Sequence, residues 1–207
     1  MVISIHIPKT GGSSFGDILK DVYGDRLWIN YDFQWNAVMF NKAFIPSGTQ
    51  CIHGHFEFTA FDDAYSESSK ITWLRDPVDR TISLYHHIMT RPDQENDLIM
   101  EIYKSRPSLV EFSRIPWVSN QAMNYLKGAQ PLDFKFIGFL EHFEESLGLC
   151  AKLLNWNKIP KPVWINRGVG KEKSGFPDEV RELIRKDNME EYEWREEAKR
   201  LFLDEVR

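Results

Sequence analysis

The sequence predicts an α/β protein whose mostly parallel sheet is covered by helices on both faces. Three observations carry this. Short, β-branched-rich stretches recur from VISIHI at 2–7 onward, with strand composition. Stretches with apolar residues at helical spacing alternate with them. The first strand runs into its helix through a tight glycine turn, PKTGGS. Strands that alternate with helices pair in parallel, because each helix carries the chain back across the sheet.

Each element has its own signal. In the first helix Phe15, Ile18, Leu19 and Val22 repeat at helical spacing, and Gly24 is placed to stop it. RLWIN at 26–30 reads as a strand, and residues 32–44 as a helix with an aromatic face. QCIHGHFEF at 50–58 and KITWLR at 70–75 have strand composition. The helix of DPVDRTISLYHHIM has a strong start, with Asp76 as N-cap, Pro77 first in the helix and Asp79 in the first turn. Residues 92–130 read as helices and loops without a strand. FKFIGFLE at 134–141 is the next strand, and the helix after it turns Phe143, Leu147, Cys150 and Leu154 inward. A basic loop, NRGVGKEKSG, precedes two charged helices, from Pro177 to Asn188 and from Met189 onward.

The 207 residues fit one domain, 1–207, with 42% hydrophobic and 28% charged residues as in ordinary soluble proteins. A formal net charge of −5 disfavours a general nucleic-acid binder, which is normally basic. Cys51 and Cys150 stand too far apart for a disulfide framework or a zinc site and read as reduced, buried thiols. No apolar run is long enough for a transmembrane helix. Met1 leads straight into VISIHIP without a signal peptide, so a cytoplasmic protein is expected, with a trimmed membrane anchor as the alternative. The pattern sets no oligomeric state.

Three stretches carry chemistry. In the first, Lys9 brings a point charge, and the backbone at Gly11 and Gly12 can approach an anion closely. Thr10, Ser13 and Ser14 add hydroxyls. The following helix directs its N–H groups and positive end at the same point. A Walker loop places its lysine after the glycines, whereas Lys9 precedes them. In the second, Arg75 ends a strand and Ser83 lies two turns into the next helix. Arg75 can grip a phosphate with two parallel bonds or pair with Asp76 or Asp79. In the third, His53 and His55 point to one side of a strand. Packing, half a metal site and a proton acceptor are the three readings, and no third ligand at matching spacing supports metal. His86 and His87 point in different directions on their helix, and no motif marks either as a base.

In this order and spacing the three stretches resemble the sulfotransferases that use 3′-phosphoadenosine 5′-phosphosulfate (PAPS), nearest the glycan-modifying branch that includes the uronyl 2-O-sulfotransferases. FIGFLEHFEES and the basic loop with its helices also look like that family. The resemblance implies a three-layer P-loop kinase-like fold and sulfuryl transfer to a hydroxyl. It assigns Lys9, Thr10, Gly11, Gly12, Ser13 and Ser14 to the 5′-phosphosulfate, and Arg75 with Ser83 to the 3′-phosphate. His55, the second histidine, becomes the general base, with Lys9 on the leaving oxygen. Arg167, Lys171 and Lys173 are candidates to close over the nucleotide. No metal is implied. The acceptor is a small-molecule or glycan hydroxyl, with a carbohydrate favoured by the resemblance and lipid, polyketide and phenol open. A nucleotide-dependent kinase and a non-catalytic nucleotide-binding module are the alternatives.

Overall fold

The computed structural model describes residues 1–31, 45–91, 96–160 and 175–202. Among them five parallel strands are formed: β1 (Val2–Ile5), β2 (Leu27–Asn30), β3 (Cys51–Gly54), β4 (Ser69–Leu74) and β5 (Phe136–Phe139). Their order is β2-β3-β1-β4-β5. The order reverses beside β1, and the chain enters α1 (Gly12–Tyr23) from its carboxyl end. Such a point in an open parallel sheet is where ligands bind.

Alternation along the strands gives the sheet two apolar faces. Ile3, Ile5, Ile52, Leu74, Ile137 and Phe139 pack against Ala122 and Tyr125 of α5 (Gln121–Tyr125) and Trp194 and Ala198 of α8 (Met189–Phe202). Cys51, Ile71, Trp73 and Phe136 face the other way. They meet Phe15, Ile18 and Leu19 of α1 and Phe143, Leu147 and Cys150 of α6 (Phe143–Leu153). Helices on both faces of a parallel sheet are the predicted three-layer α/β arrangement. Gly138 is needed in β5 because a Cβ there would lie 2.6 Å from the Trp73 ring. Cys51 and Cys150 are free and buried.

The start of α2 (Pro77–Met89) is as expected: Pro77 is its first residue, and the Asp76 side chain accepts from the Asp79 N–H at 3.0 Å. The described part of 92–130 is helical and loop. It holds α3 (Asp97–Ser105), α4 (Leu109–Ser113) and α5. Two strands are shorter than their composition implied. β5 gives way to a 3-10 turn at Leu140–His142. β3 ends at Gly54, where a Cβ would lie 1.8 Å from the Asn30 carbonyl oxygen. The aromatic helix expected at 32–44 lies outside the described residues. Among the described residues no helix is long and apolar enough to cross a membrane.

α7 (Asp178–Asp187) and α8 close the fold and fasten α2. Arg80 of α2 is fully buried, and its guanidinium meets Glu191 of α8 with two parallel bonds of 2.8 and 2.9 Å. It donates a third bond to Gln121 of α5, and Glu191 also accepts from the Ala122 N–H. Removing one partner of a buried ion pair leaves the other charge uncompensated. Glu191→Ala is therefore expected to lower unfolding free energy by about 3–5 kcal/mol, read by urea denaturation. A loss within about 0.5 kcal/mol, the range of an ordinary surface substitution, would show that the pair is not holding the helices together.

Candidate active site

The loop between β1 and α1 presents backbone donors. Gly11 caps α1 in a left-handed conformation (φ 90°) with no side-chain cap bond, and no acid stands in the first turn. The early N–H groups of a helix have no partner within it, so this end of α1 is a natural anion site. Lys9 also has a positive φ of 69°, which a non-glycine residue adopts only when its surroundings enforce it. One enforcing contact is visible: Arg75 Nη1 donates to the Lys9 carbonyl at 3.2 Å. Thr10 is buried, and its hydroxyl donates to the Ile7 carbonyl at 2.8 Å. Its one proton is thus engaged in shaping the loop, and its backbone N–H is the donor left for an anion. Ser13 is exposed and Ser14 buried.

Positive charges gather over this loop. Burial, then the charges of Arg75 and Arg91, push the Lys9 ammonium down to about 8. Arg75 follows β4 directly, and among the described residues no ion pair ties it to Asp76 or Asp79. Asp79 holds Arg181 at 3.0 Å, and Asp76 accepts from Tyr192 at 2.8 Å. Burial lowers the Arg75 pKa from its ordinary value, and Asp79, Glu141 and Asp76 work against that. Ser83 is buried on α2. His87 stands four residues later, on the same helical face. Burial, then Lys9 and Arg91, push it down to about 4. The i, i+4 spacing from Ser83 was the sequence signal for its place near Lys9. His86, by contrast, contacts Tyr85 and Phe176.

The two histidines of HGH are brought to one centre, and a third joins them. His6, just beyond β1, is in ring contact with His53 (centroids 5.2 Å, 12° between planes) and with His55 (4.4 Å, 23°). Tyr31, just beyond β2 and partly exposed, meets all three rings at 5.2–5.7 Å. His53 is buried with both nitrogens engaged. Nδ1 pairs with the Ser4 hydroxyl at 2.8 Å, and Nε2 faces the Gly12 carbonyl at 3.3 Å. A carbonyl only accepts, so Nε2 carries the proton and Nδ1 accepts from Ser4. His55 has the opposite tautomer. Its Nδ1–H donates to the His6 carbonyl at 2.7 Å, which leaves the Nε2 lone pair as acceptor. Burial lowers the pKa of His55, and the bond to His6 works against that. Stacked rings do not converge their nitrogens on a point, and among the described residues no group of His, Cys, Asp and Glu could hold a metal ion.

The structure therefore gathers Lys9, Thr10, Gly11, Gly12, Ser13, Ser14, Arg75 and His55 around one end of the sheet, with Ser83 on the adjoining helix. Arg167, Lys171 and Lys173 lie outside the described residues. Sequence reasoning passed over His6 and Tyr31, although His6 opens the loop stretch itself.

The sulfotransferase family model matches residues 1–204. The chain belongs to the sulfotransferase family. No curated protein matches it. Two solved sulfotransferases are similar in structure. One is mouse SULT7A1 complexed with PAP, at 11% identity and a TM-score of 0.49, with 92% of this chain and 65% of that one covered. The other is from Alicyclobacillus acidocaldarius, at 14% identity and a TM-score of 0.47, with 89% and 94% covered. This family member thus spans slightly less than two thirds of the mouse enzyme.

The buried histidines make stability depend on acid. Burial pushes His53 down to about 4 from the ordinary 6.5. Between those values the unfolded chain binds a proton at position 53 that the folded protein does not. Stability at this residue is thus full above about 6.5 and falls as pH drops toward 4, by about 3 kcal/mol. His53→Gln should flatten the stability profile from pH 7 to pH 4 relative to the parent, read by urea unfolding at each pH. Parallel profiles for the two proteins would contradict a neutral buried His53.

Proposed function

We propose that this protein transfers the sulfuryl group of PAPS to an acceptor hydroxyl, with His55 as general base. One observation carries the reading: three stretches remote in sequence meet at the phosphate loop. Arg75 bonds the Lys9 carbonyl, and the His6 ring touches both Gly12 and His55. In the proposed reaction the acceptor oxygen attacks sulfur in line. The S–O bond to the 5′-phosphate breaks, and its electron pair stays on the phosphate oxygen. Lys9 neutralises that oxygen, as a preorganised donor stabilises charge where it develops. The acceptor's proton moves to Nε2 of His55, whose other nitrogen is already committed to the His6 carbonyl. The α1 N-terminus holds the 5′-phosphate, and Arg75 with Ser83 takes the 3′-phosphate.

We assign the acceptor to the carbohydrates. Tyr31 stands beside His55 with 41% of its surface exposed, and offers a ring face against which a sugar can lie. The leading competitor, a kinase, is disfavoured by the order of lysine and glycines in the loop.

Thermal shift separates the two. 3′-Phosphoadenosine 5′-phosphate (PAP) should raise Tm without added metal, and ATP with Mg²⁺ should do so far less. The reverse order would overturn the assignment. Arg75→Ala should weaken PAP by about 1.5–3 kcal/mol, the size of a charge-assisted bond. Adenosine 5′-phosphosulfate, which lacks the 3′-phosphate, should lose less. Its loss should not be zero, because Arg75 also props the Lys9 carbonyl. Equal losses would make Arg75 a loop prop only.

His55→Ala should keep PAP affinity within about threefold while turnover with PAPS falls by about 10²–10⁴, the usual share of a general base. Turnover is read as sulfate incorporated into a panel of polysaccharides and oligosaccharides. Near-parental turnover in a folded His55→Ala protein would remove the base assignment.

A further inference from the structure

The His6 ring fills a space that the glycine loop leaves open. An ideal Cβ on Gly12 would lie 1.9 Å from His6 Nε2 and 2.0 Å from Cδ2, so the ring edge rests directly on the backbone of the phosphate loop. Its centroid is 4.4 Å from that of His55, and its main-chain oxygen accepts the His55 Nδ1–H. One residue thus touches the loop with its edge, the imidazole of His55 with its ring and the Nδ1 of His55 with its carbonyl. His6 is 9% exposed, and its own Nδ1 has no hydrogen-bond partner among the described residues. Buried polar atoms without partners are rare and weaken a fold, so packing alone gives no reason for an imidazole here. Among the described residues His53 from β3, Tyr31 beyond β2 and Tyr125 of α5 also face His55, and Lys9 of the loop acts on His6.

We propose that His6 is a positioning residue for the general base, a flat spacer that sets the distance and plane of His55 against the phosphate loop. The proposal rests on the reading of His55 as the base. His6 takes no proton in the reaction. Burial and the neighbouring charges of His55, His53 and Lys9 keep it neutral, so the proton from the acceptor stays on His55. A base held in one tautomer at a fixed height over the donor loop meets the attacking hydroxyl in one geometry, which is where proximity contributes most.

The test follows His55 itself by NMR of histidine-labelled protein saturated with PAP, recording the tautomer and titration midpoint. In the parent, His55 should be the Nδ1–H tautomer and titrate below 6.5. In His6→Ala its two tautomers should mix and the midpoint should rise toward 6.5. His6→Phe, which keeps a flat ring, should restore the parental tautomer and low midpoint. Gly12→Ala should displace the His55 resonances in the parent and leave them unmoved in a His6→Ala background, because the clash it creates is with the His6 ring. Should His6→Ala not fold, Gly12→Ala alone and His6→Phe carry the test. An unchanged His55 in His6→Ala, or in a folded Gly12→Ala protein, would overturn the proposal. So would a His55 in His6→Phe that differs from the parent. These readouts do not depend on turnover, so loss of the base assignment through an active His55→Ala protein is a separate result.

Discussion

The first turn of α1 presents backbone N–H groups that its glycine cap has no side chain to satisfy. An Asp or Ser cap would satisfy one of them, at a gain over glycine of only about a few tenths of a kcal/mol. Gly11 instead leaves the donors open and adopts a positive φ. A Cβ there would lie 2.7 Å from Leu140, so the space beside the cap is already taken. Lys9 is held in a positive φ of its own, with Arg75 on its carbonyl. His6 occupies the place of a Cβ at Gly12, and His53 Nε2–H donates to the Gly12 carbonyl of the same turn. The local cost of an uncapped helix and a strained lysine is what makes the loop receptive to an outside anion.

Charge around the loop is divided by burial into two kinds. Lys9 and Arg75 crowd together as cations, each disfavoured by its burial. His6, His53, His55 and His87 are all driven toward the neutral form by the same burial. A site of this composition repels further protons while attracting a multiply charged anion. The net charge of −5 for the whole chain says nothing about it, because fields at this range are local.

Much of this was legible in the sequence. Strand composition placed β1 to β5, and Asp76–Pro77–Asp79 marked the start of α2 to the residue. The loop, Arg75 and His55 were visible as motifs because their types are unusual at strand ends. Part of what stayed hidden is a matter of sequence distance. The Arg75 bond to Lys9 spans 66 residues, and the Arg80 pair with Glu191 spans 111. A buried arginine in a helix reads as a solvated charge until its partner is known. Thr10 looked like an anion donor because nothing local shows its hydroxyl turning back to Ile7. His6 was missed because, in VISIHI, an alternating histidine passes for one more strand residue.

The fastening of α2 reaches across the whole chain. Arg181, Tyr192 and Arg195 hold Asp79, Asp76 and Glu141, and Glu191 holds Arg80. In chain order the glycine loop precedes these clamps by more than 160 residues. A nascent chain thus carries its glycine loop long before these ion pairs fasten the helix that follows Arg75. A polypeptide released short of Tyr192 has the glycine loop without the clamp on Asp76.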